Sequence, residues 1–338
     1  MTDRGKFYTS NGKYEREQVL LPFSEEILTW DDEFHELMLH DRIRMAAYEA
    51  AIKEVVKPGM TIVDVGTGTG ILALWALEAG ARKAYGIDVN PARIPQARER
   101  ITKAGYADRF EVYNALSYNV GLPERVDVII SELLGNLADN EDMTPILEDA
   151  RKRFLKEGGC VIPTRVKTYI VPINSMKAHQ QVGGMGSGFK NKHGNPFNLY
   201  YDCIIPESAY LSNPKVVREF NFDGSDEAEY QVKMVYPLTR EGIFTGFKGS
   251  FVAQLSDKVT LDISGGDIKG KKTSDCWKHA YLPIENPIEV REGDTLELCY
   301  SRFYPAKRDH SFRQCYAWEG EVNRDGKAVA KFSQRMGN

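Results

Sequence analysis

The chain has 338 residues, 42% of them apolar and 27% charged, with a formal net charge of −4. That length suits two domains of ordinary size with real cores. The charge balance has no basic excess, so no nucleic-acid partner is expected, and without a run of about 18 apolar residues neither is a membrane span.

The stretch from Met1 to Lys13 is polar and lacks the apolar core of a secretory signal. The five cysteines, at 160, 203, 276, 299 and 315, are odd in number and form no Cys-x-x-Cys pair. That spacing argues against a zinc site or a disulfide framework and for reduced thiols in the cytoplasm, with no metal expected.

Strand and helix alternate through the first half. Thr61 to Val65 is a short apolar run that ends in glycines, which reads as a buried strand. Ile71 to Ala79 has helical spacing. Ala84 to Asp88 reads as a second strand, and Pro91 opens the next helix, where proline is tolerated. Phe110 to Tyr113 and Val126 to Ile130 read as the third and fourth strands. Met143 to Leu155 reads as a helix stopped by Gly158-Gly159, and Cys160 to Pro163 begins another strand. Such repeats predict a parallel, doubly wound sheet.

After Pro163 the texture becomes alternating. Val166–Pro172, Tyr230–Tyr236, Phe247–Gln254, Val259–Ile263, Thr295–Tyr300 and Cys315–Val322 read as strands, many separated by turn residues such as Gly265-Gly266 and Arg324-Asp325-Gly326. This predicts an antiparallel barrel or sandwich. Gly183-Gly-Met-Gly-Ser-Gly188 and the polar stretch to Asn198 read as a long loop or interaction arm. The organisation is an N-terminal segment over 1–29, a Rossmann-like α/β domain over 30–163 and an antiparallel β-barrel domain over 164–338.

Asp64-Val-Gly66-Thr67-Gly68-Thr-Gly70 follows a strand and precedes a helix. Glycines let a backbone turn tightly and approach a ligand. Alone, such a turn serves a dinucleotide, another nucleoside or nothing. Asp88, ending the next strand beside Val89, is placed to bond a ribose diol. The spacing departs from the Gly-x-Gly-x-x-Gly of dinucleotide sites. S-adenosylmethionine, which has no pyrophosphate, fits better. Asn114 to Ser117 follows the third strand. Leu116 could pack on adenine and Ser117 meet its edge, or the segment is an ordinary loop.

Ser131-Glu132-Leu-Leu-Gly135 directly follows the fourth strand, and Glu141 lies nine residues beyond Glu132. Ligands in open α/β sheets sit beyond the carboxyl ends of strands. Two carboxylates on one loop can clamp a guanidinium, whose rigid fork of donors matches them. Glutamates in general are more often simply solvated; the strand end and the loop glycine favour function here.

These motifs together resemble the protein arginine methyltransferases. The resemblance is carried by His35 to Arg44, Val63 to Leu72, Ala79 to Asp88, the spacing from Ser131-Glu132 to Glu141, and Pro283 to Asp294, covering roughly residues 30–325. The wording of the Glu132–Glu141 loop is most similar to the branch that makes symmetric dimethylarginine. The resemblance implies that Arg44 pairs with the carboxylate of the donor's methionine moiety and that Asp41 sits near the two glutamates. It also implies that Met38 lines the transfer pocket. Asp275-Cys276-Trp277 stands where the family commonly has Thr-His-Trp, so Cys276 and Trp277 are expected to face the glutamates without an Asp-His proton relay. The family's helix over the cofactor has no clear counterpart upstream of Phe34, where Trp30 and Phe23 are partial substitutes. A homodimer is implied, through an arm within Ser175 to Pro214. The expected acceptor is arginine in a protein or peptide, or alternatively free arginine or another small guanidine.

Overall fold

The structure, a computed structural model, describes residues 15–21, 38–266, 274, 276–305 and 314–337. The expectations for His35 to Leu37, Trp30, Phe23 and Asp275 lie outside the described residues.

The first half builds five parallel strands: β1 (Thr61–Val65), β2 (Lys83–Asp88), β3 (Phe110–Asn114), β4 (Val126–Ser131) and β5 (Leu155–Ile162). They are ordered β3-β2-β1-β4-β5. The chain moves outward from β1 to β3 and then returns to the other side of β1 at β4. The order therefore reverses between β1 and its two neighbours, and such a switch point opens a crevice at the strand ends. Helices α1 (Arg42–Val55), α2 (Ile71–Glu78), α3 (Arg93–Lys103) and α4 (Met143–Phe154) accompany the sheet. Strand β1 is buried at every position, which explains why its sequence is largely apolar without polar alternation, Asp64 being the one buried charge.

One junction differs from expectation. Helix α4 ends at Phe154 and β5 begins at Leu155, so the two glycines do not stop the helix. They fall inside β5, where Gly158 has φ +75° and the register against β4 breaks between Val126 and Val128.

The second half is antiparallel. β6 (Arg165–Ile173), β7 (Tyr201–Cys203), β8 (Lys215–Phe220), β10 (Gly242–Gln254), β11 (Thr260–Asp262) and β12 (His279–Val290) form one sheet. β9 (Tyr230–Pro237), β13 (Thr295–Phe303), β14 (Cys315–Arg324) and β15 (Lys327–Arg335) form the other. The sheets meet through rings: Phe247 of β10 packs on Tyr236 of β9, and Phe244 lies edge-on to Phe332 of β15. Strands β7, β8, β12 and β15 were not expected as such, and β10 is longer than its alternating stretch.

Part of the 183–198 segment read as a loop or interaction arm is helical, and a second helix leads into it. α5 (Met176–Gly183) and α6 (Ser187–His193) follow β6, and Gly184 caps α5. Ala178 and Val182 of α5 are buried with Val171, Tyr201 and Tyr281 of the barrel. Burial of this face offsets the cost of Gly183 at the end of α5, about 1 kcal/mol for a glycine within a helix. Residues 15–21 run beside this arm: Leu20 bridges Asp202, and the side chain of Gln181 donates to the Glu17 carbonyl at 2.7 Å.

Candidate active site

A pocket opens at the carboxyl ends of β1, β2 and β4, beside the switch point. Gly66, Thr67, Gly68, Asp88, Arg44, Glu132 and Glu141 all line it. Gly68 has φ +51°, and a Cβ built on it would meet no protein atom within 4 Å. The backbone thus faces open pocket at that point. Its N–H donates to Asp88 Oδ2 at 2.7 Å, and Asn90 N–H donates to Oδ1 at 2.8 Å. These bonds fix the Asp88 carboxylate at the end of β2, although burial pushes its carboxyl above the ordinary range.

The next part of the wall is apolar. Val89, Leu116 and Tyr118 are 39%, 37% and 42% exposed, and all three line the pocket. Exposed apolar groups gathered at one cavity mark a ligand surface. Ser117 is buried beneath them, and its carbonyl accepts from Arg153. Tyr118, Asn90 and Arg93 escaped the sequence reading, though each follows a strand end as Asp88 and Leu116 do.

Asp64 does not face the pocket. Its carboxylate is fully buried, takes a 2.7 Å bond from Thr67 Oγ1 and is pushed up to about 7 by burial. It braces the glycine turn from behind, because β1 points this side chain into the protein.

At the opposite end, Arg44 and Glu132 meet. Arg44 Nε and Nη2 lie 2.8 and 2.5 Å from Glu132 Oε2, and Leu134 N–H donates to Oε1 at 3.1 Å. Met38 lines the pocket here, and its carbonyl accepts from Arg44 Nη1 at 3.0 Å. The sequence places Arg44 at the donor and Glu132 at the donor and the acceptor alike, and the fold pairs the two side chains directly.

Asp41 is a helix cap. Its Oδ1 accepts from the N–H groups of Ile43 and Arg44, and its Oδ2 from Ser274 Oγ and the Cys276 N–H. It therefore fastens the start of α1 to the 274–277 segment and stands behind Arg44. Trp277 Nε1 donates to the Leu134 carbonyl, and its ring lies 6.0 Å from the Arg44 guanidinium. Cys276 is buried, and burial raises its thiol well above the ordinary range, which makes it a poor nucleophile. Neither Cys276 nor Trp277 is part of the pocket wall; both brace the residues that are.

Glu141 differs from Glu132. Its carboxylate has no hydrogen-bond partner among the described residues, and it lines the pocket. Burial first, then Glu132, pushes it up to about 8, with Arg44 pulling the other way and Asp202 adding to the rise. The loop that carries it turns tightly. Gly135 and Ala138 bridge each other, and a Cβ on Gly135 would come within 2.2 Å of Asn140 Oδ1. Glycine is required there by close approach.

Comparison with known proteins agrees with this geometry. A family model described as ribosomal protein L11 methyltransferase (PrmA) matches residues 46–164. One described as the PRMT5 oligomerisation domain matches residues 165–319. Protein arginine N-methyltransferase PRMT10 of Oryza sativa subsp. japonica is 38% identical over 326 residues, covering 82% of this chain and 83% of the relative. Protein arginine N-methyltransferase 6 of Danio rerio is 36% identical over 303 residues, covering 82% and 84%. The crystal structure of Arabidopsis thaliana protein arginine methyltransferase 10 superposes with a TM-score of 0.76 at 23% identity, over 91% of this chain and 99% of that one. A Trypanosoma brucei PRMT1 enzyme-prozyme heterotetrameric complex with AdoHcy gives 0.77 at 21% identity, over 89% and 97%. These two show the shared fold. On the identity and coverage of its relatives, and on a parallel sheet followed by antiparallel sheets, this chain belongs to the protein arginine N-methyltransferase family and is an arginine N-methyltransferase.

Proposed function

We propose that the chain methylates a guanidino nitrogen of arginine in proteins or peptides, with S-adenosylmethionine as donor. The observation that carries this is the pair of strand-end carboxylates. Glu132 is held by Arg44, and Glu141 has no hydrogen-bond partner among the described residues, in one pocket with an exposed apolar wall. The small-guanidine alternative draws no support from the relatives, whose names specify protein arginine.

The pocket residues fit the donor. Open space over Gly68 and the fixed Asp88 carboxylate suit a ribose, and Val89 and Leu116 suit an adenine face. Arg44 would take the carboxylate of the methionine moiety. When bound, S-adenosylmethionine supplies an electrophilic methyl group on a sulfonium.

The chain's own task is to aim a guanidinium and to draw its charge away from one nitrogen. Arginine is protonated at any working pH, so its lone pairs are delocalised. Glu132 has Oε1 engaged by Leu134 and Oε2 by Arg44. A carboxylate has about four acceptor positions, so a guanidinium N–H can still be taken. Glu141 supplies the second carboxylate. Its raised affinity for protons suits it to accept the proton that the guanidinium releases. Preorganised charge of this kind is often the largest catalytic contribution.

A homodimer through the α5–α6 arm is part of the proposal. It is supported by the PRMT5 oligomerisation domain match, which includes that arm. The deciding experiment incubates the protein with S-adenosylmethionine and either an arginine-rich peptide or free L-arginine, followed by mass spectrometry. Methylation confined to the peptide is expected; methylation of free arginine alone would overturn the acceptor assignment. Sedimentation velocity of the same sample tests the dimer, for which a monomer at micromolar concentration would be the contrary result.

A further inference from the structure

The loop between the two glutamates is moulded by the barrel, and Glu141 is left out of the mould. Asn136 Nδ2 donates to Asp202 Oδ1 of β7 at 2.6 Å. The Leu137 carbonyl accepts from Thr168 Oγ1 of β6 at 3.0 Å. The carboxylate of Asp139 accepts from Tyr230 of β9 at 2.9 Å and from Tyr316 of β14 at 3.0 Å. The Asn140 carbonyl accepts from Gln314 at 2.7 Å. Asp142 accepts from Tyr304.

One residue joins the last parts of this mould. Arg302 of β13 is 1% exposed. Its Nη2 donates to the Asp139 carbonyl and to Asp142 Oδ1, both at 3.1 Å, and its Nε lies 3.1 Å from Asp139 Oδ2. It therefore grips the residues on either side of Asn140-Glu141. The backbone between needs such a grip. Ala138 and Asp142 have φ of +67° and +57° without being glycine. Such conformations persist only where surrounding contacts over-determine them.

We propose that Arg302 is a positioning residue for Glu141: by pinning Asp139 and Asp142 it sets where the Glu141 carboxylate stands in the pocket, and so sets the rate of methyl transfer without touching the substrate. This rests on the assignment of Glu141 to the guanidinium made above.

Displacement of a reacting group by about 1 Å can cost on the order of 10²-fold in rate. In R302M, kcat on an arginine peptide is expected to fall by about that factor, while affinity for S-adenosylhomocysteine, measured by calorimetry, stays within about twofold of the parent. R302K, which keeps the charge but not the fork, recovers part of the rate. A double-mutant cycle separates positioning from general damage. In the E141Q background, R302M should change the residual rate by less than about twofold. An equal loss in both backgrounds, or parental kcat in R302M, overturns the inference. Parental turnover in E141Q alone would instead remove the assignment of Glu141 on which it rests. If R302M does not fold, Y230F/Y316F removes two bonds to Asp139 at nearly constant volume and carries the same test.

Discussion

Arg44 and Glu132 share one carboxylate oxygen: both Nε and Nη2 of the arginine lie within 2.8 Å of Glu132 Oε2. The pair is only slightly exposed, at 11% and 8% of the side chains. Breaking one partner of such a pair leaves the other charge poorly compensated. The carboxylate proposed for a substrate cation is thus already balanced by the side chain proposed for the donor's carboxylate, and the two roles are electrically linked at one end of the pocket.

Glu132→Gln tests that link. Turnover is expected to fall by about 10²- to 10³-fold, the scale for removing one preorganised electrostatic group. Affinity for S-adenosylmethionine should change by less than about tenfold, since Arg44 stays anchored by the Met38 carbonyl. Steady-state kinetics and calorimetry check the split, and unchanged turnover would refute the role given to Glu132.

The acidity of Glu141 sets a pH dependence. Its carboxyl is pushed up to about 8 by burial and Glu132, opposed by Arg44. The protonated form dominates below that value, and only the carboxylate binds a cation well. The expected kcat/KM therefore rises with pH through about 8 and levels off above it. A flat profile from pH 6.5 to 9, on the order of the range in which such a group titrates, would exclude Glu141 as the controlling group.

Stability should run the opposite way. Glu141 at about 8 and Asp64 at about 7 hold protons more tightly when folded than when unfolded. A group raised in this way makes folding less favourable as pH climbs from the ordinary carboxyl range through its folded value. Thermal unfolding of the unliganded protein is expected at a lower temperature at pH 9 than at pH 6. Asp64→Asn should reduce the difference, and the opposite pH trend would contradict both assignments.

Gly68→Ala probes the donor wall. The added Cβ meets no protein atom within 4 Å, so the cost to folding is mainly the left-handed backbone, about 1–2 kcal/mol. The methyl group would enter the space assigned to the ribose. A protein folded by circular dichroism but weakened at least tenfold in S-adenosylmethionine affinity is the expected outcome. Parental affinity would mean that the ribose lies elsewhere.

Asp41→Ala removes the cap of α1 and the acceptor for Ser274 and Cys276. The loss of a cap costs about 1–2 kcal/mol, read as a lower melting temperature. Because Arg44 lies in the first turn of the same helix, donor affinity should fall with it. A variant with normal melting and normal donor binding would contradict the bracing role.

The parallel half was largely legible because its signals are local. Apolar runs ending in glycine, and an acidic residue at the end of the next strand, are set by the same geometry that makes the pocket. The α5–α6 arm was not legible, because Gly183, Gly184, Gly186 and Gly188 argue for a loop while the packing that makes it helical lies on β6, β7 and β12. Asp41 and Cys276 were expected at the pocket, yet they meet each other behind it. Their contact spans more than 230 residues of chain and leaves no local pattern. The same holds for Arg302 and Asp139, which only the fold brings together.

The glutamate loop has two allegiances. It is continuous with β4, yet its side chains settle among β7, β9, β13 and β14. A chimera cut at the end of β5, joining the first half of this chain to a relative's barrel, would hand Asp139 and Asp142 to foreign neighbours. Residues 136–142 belong, for the purposes of such grafting, to the half of the chain that follows them.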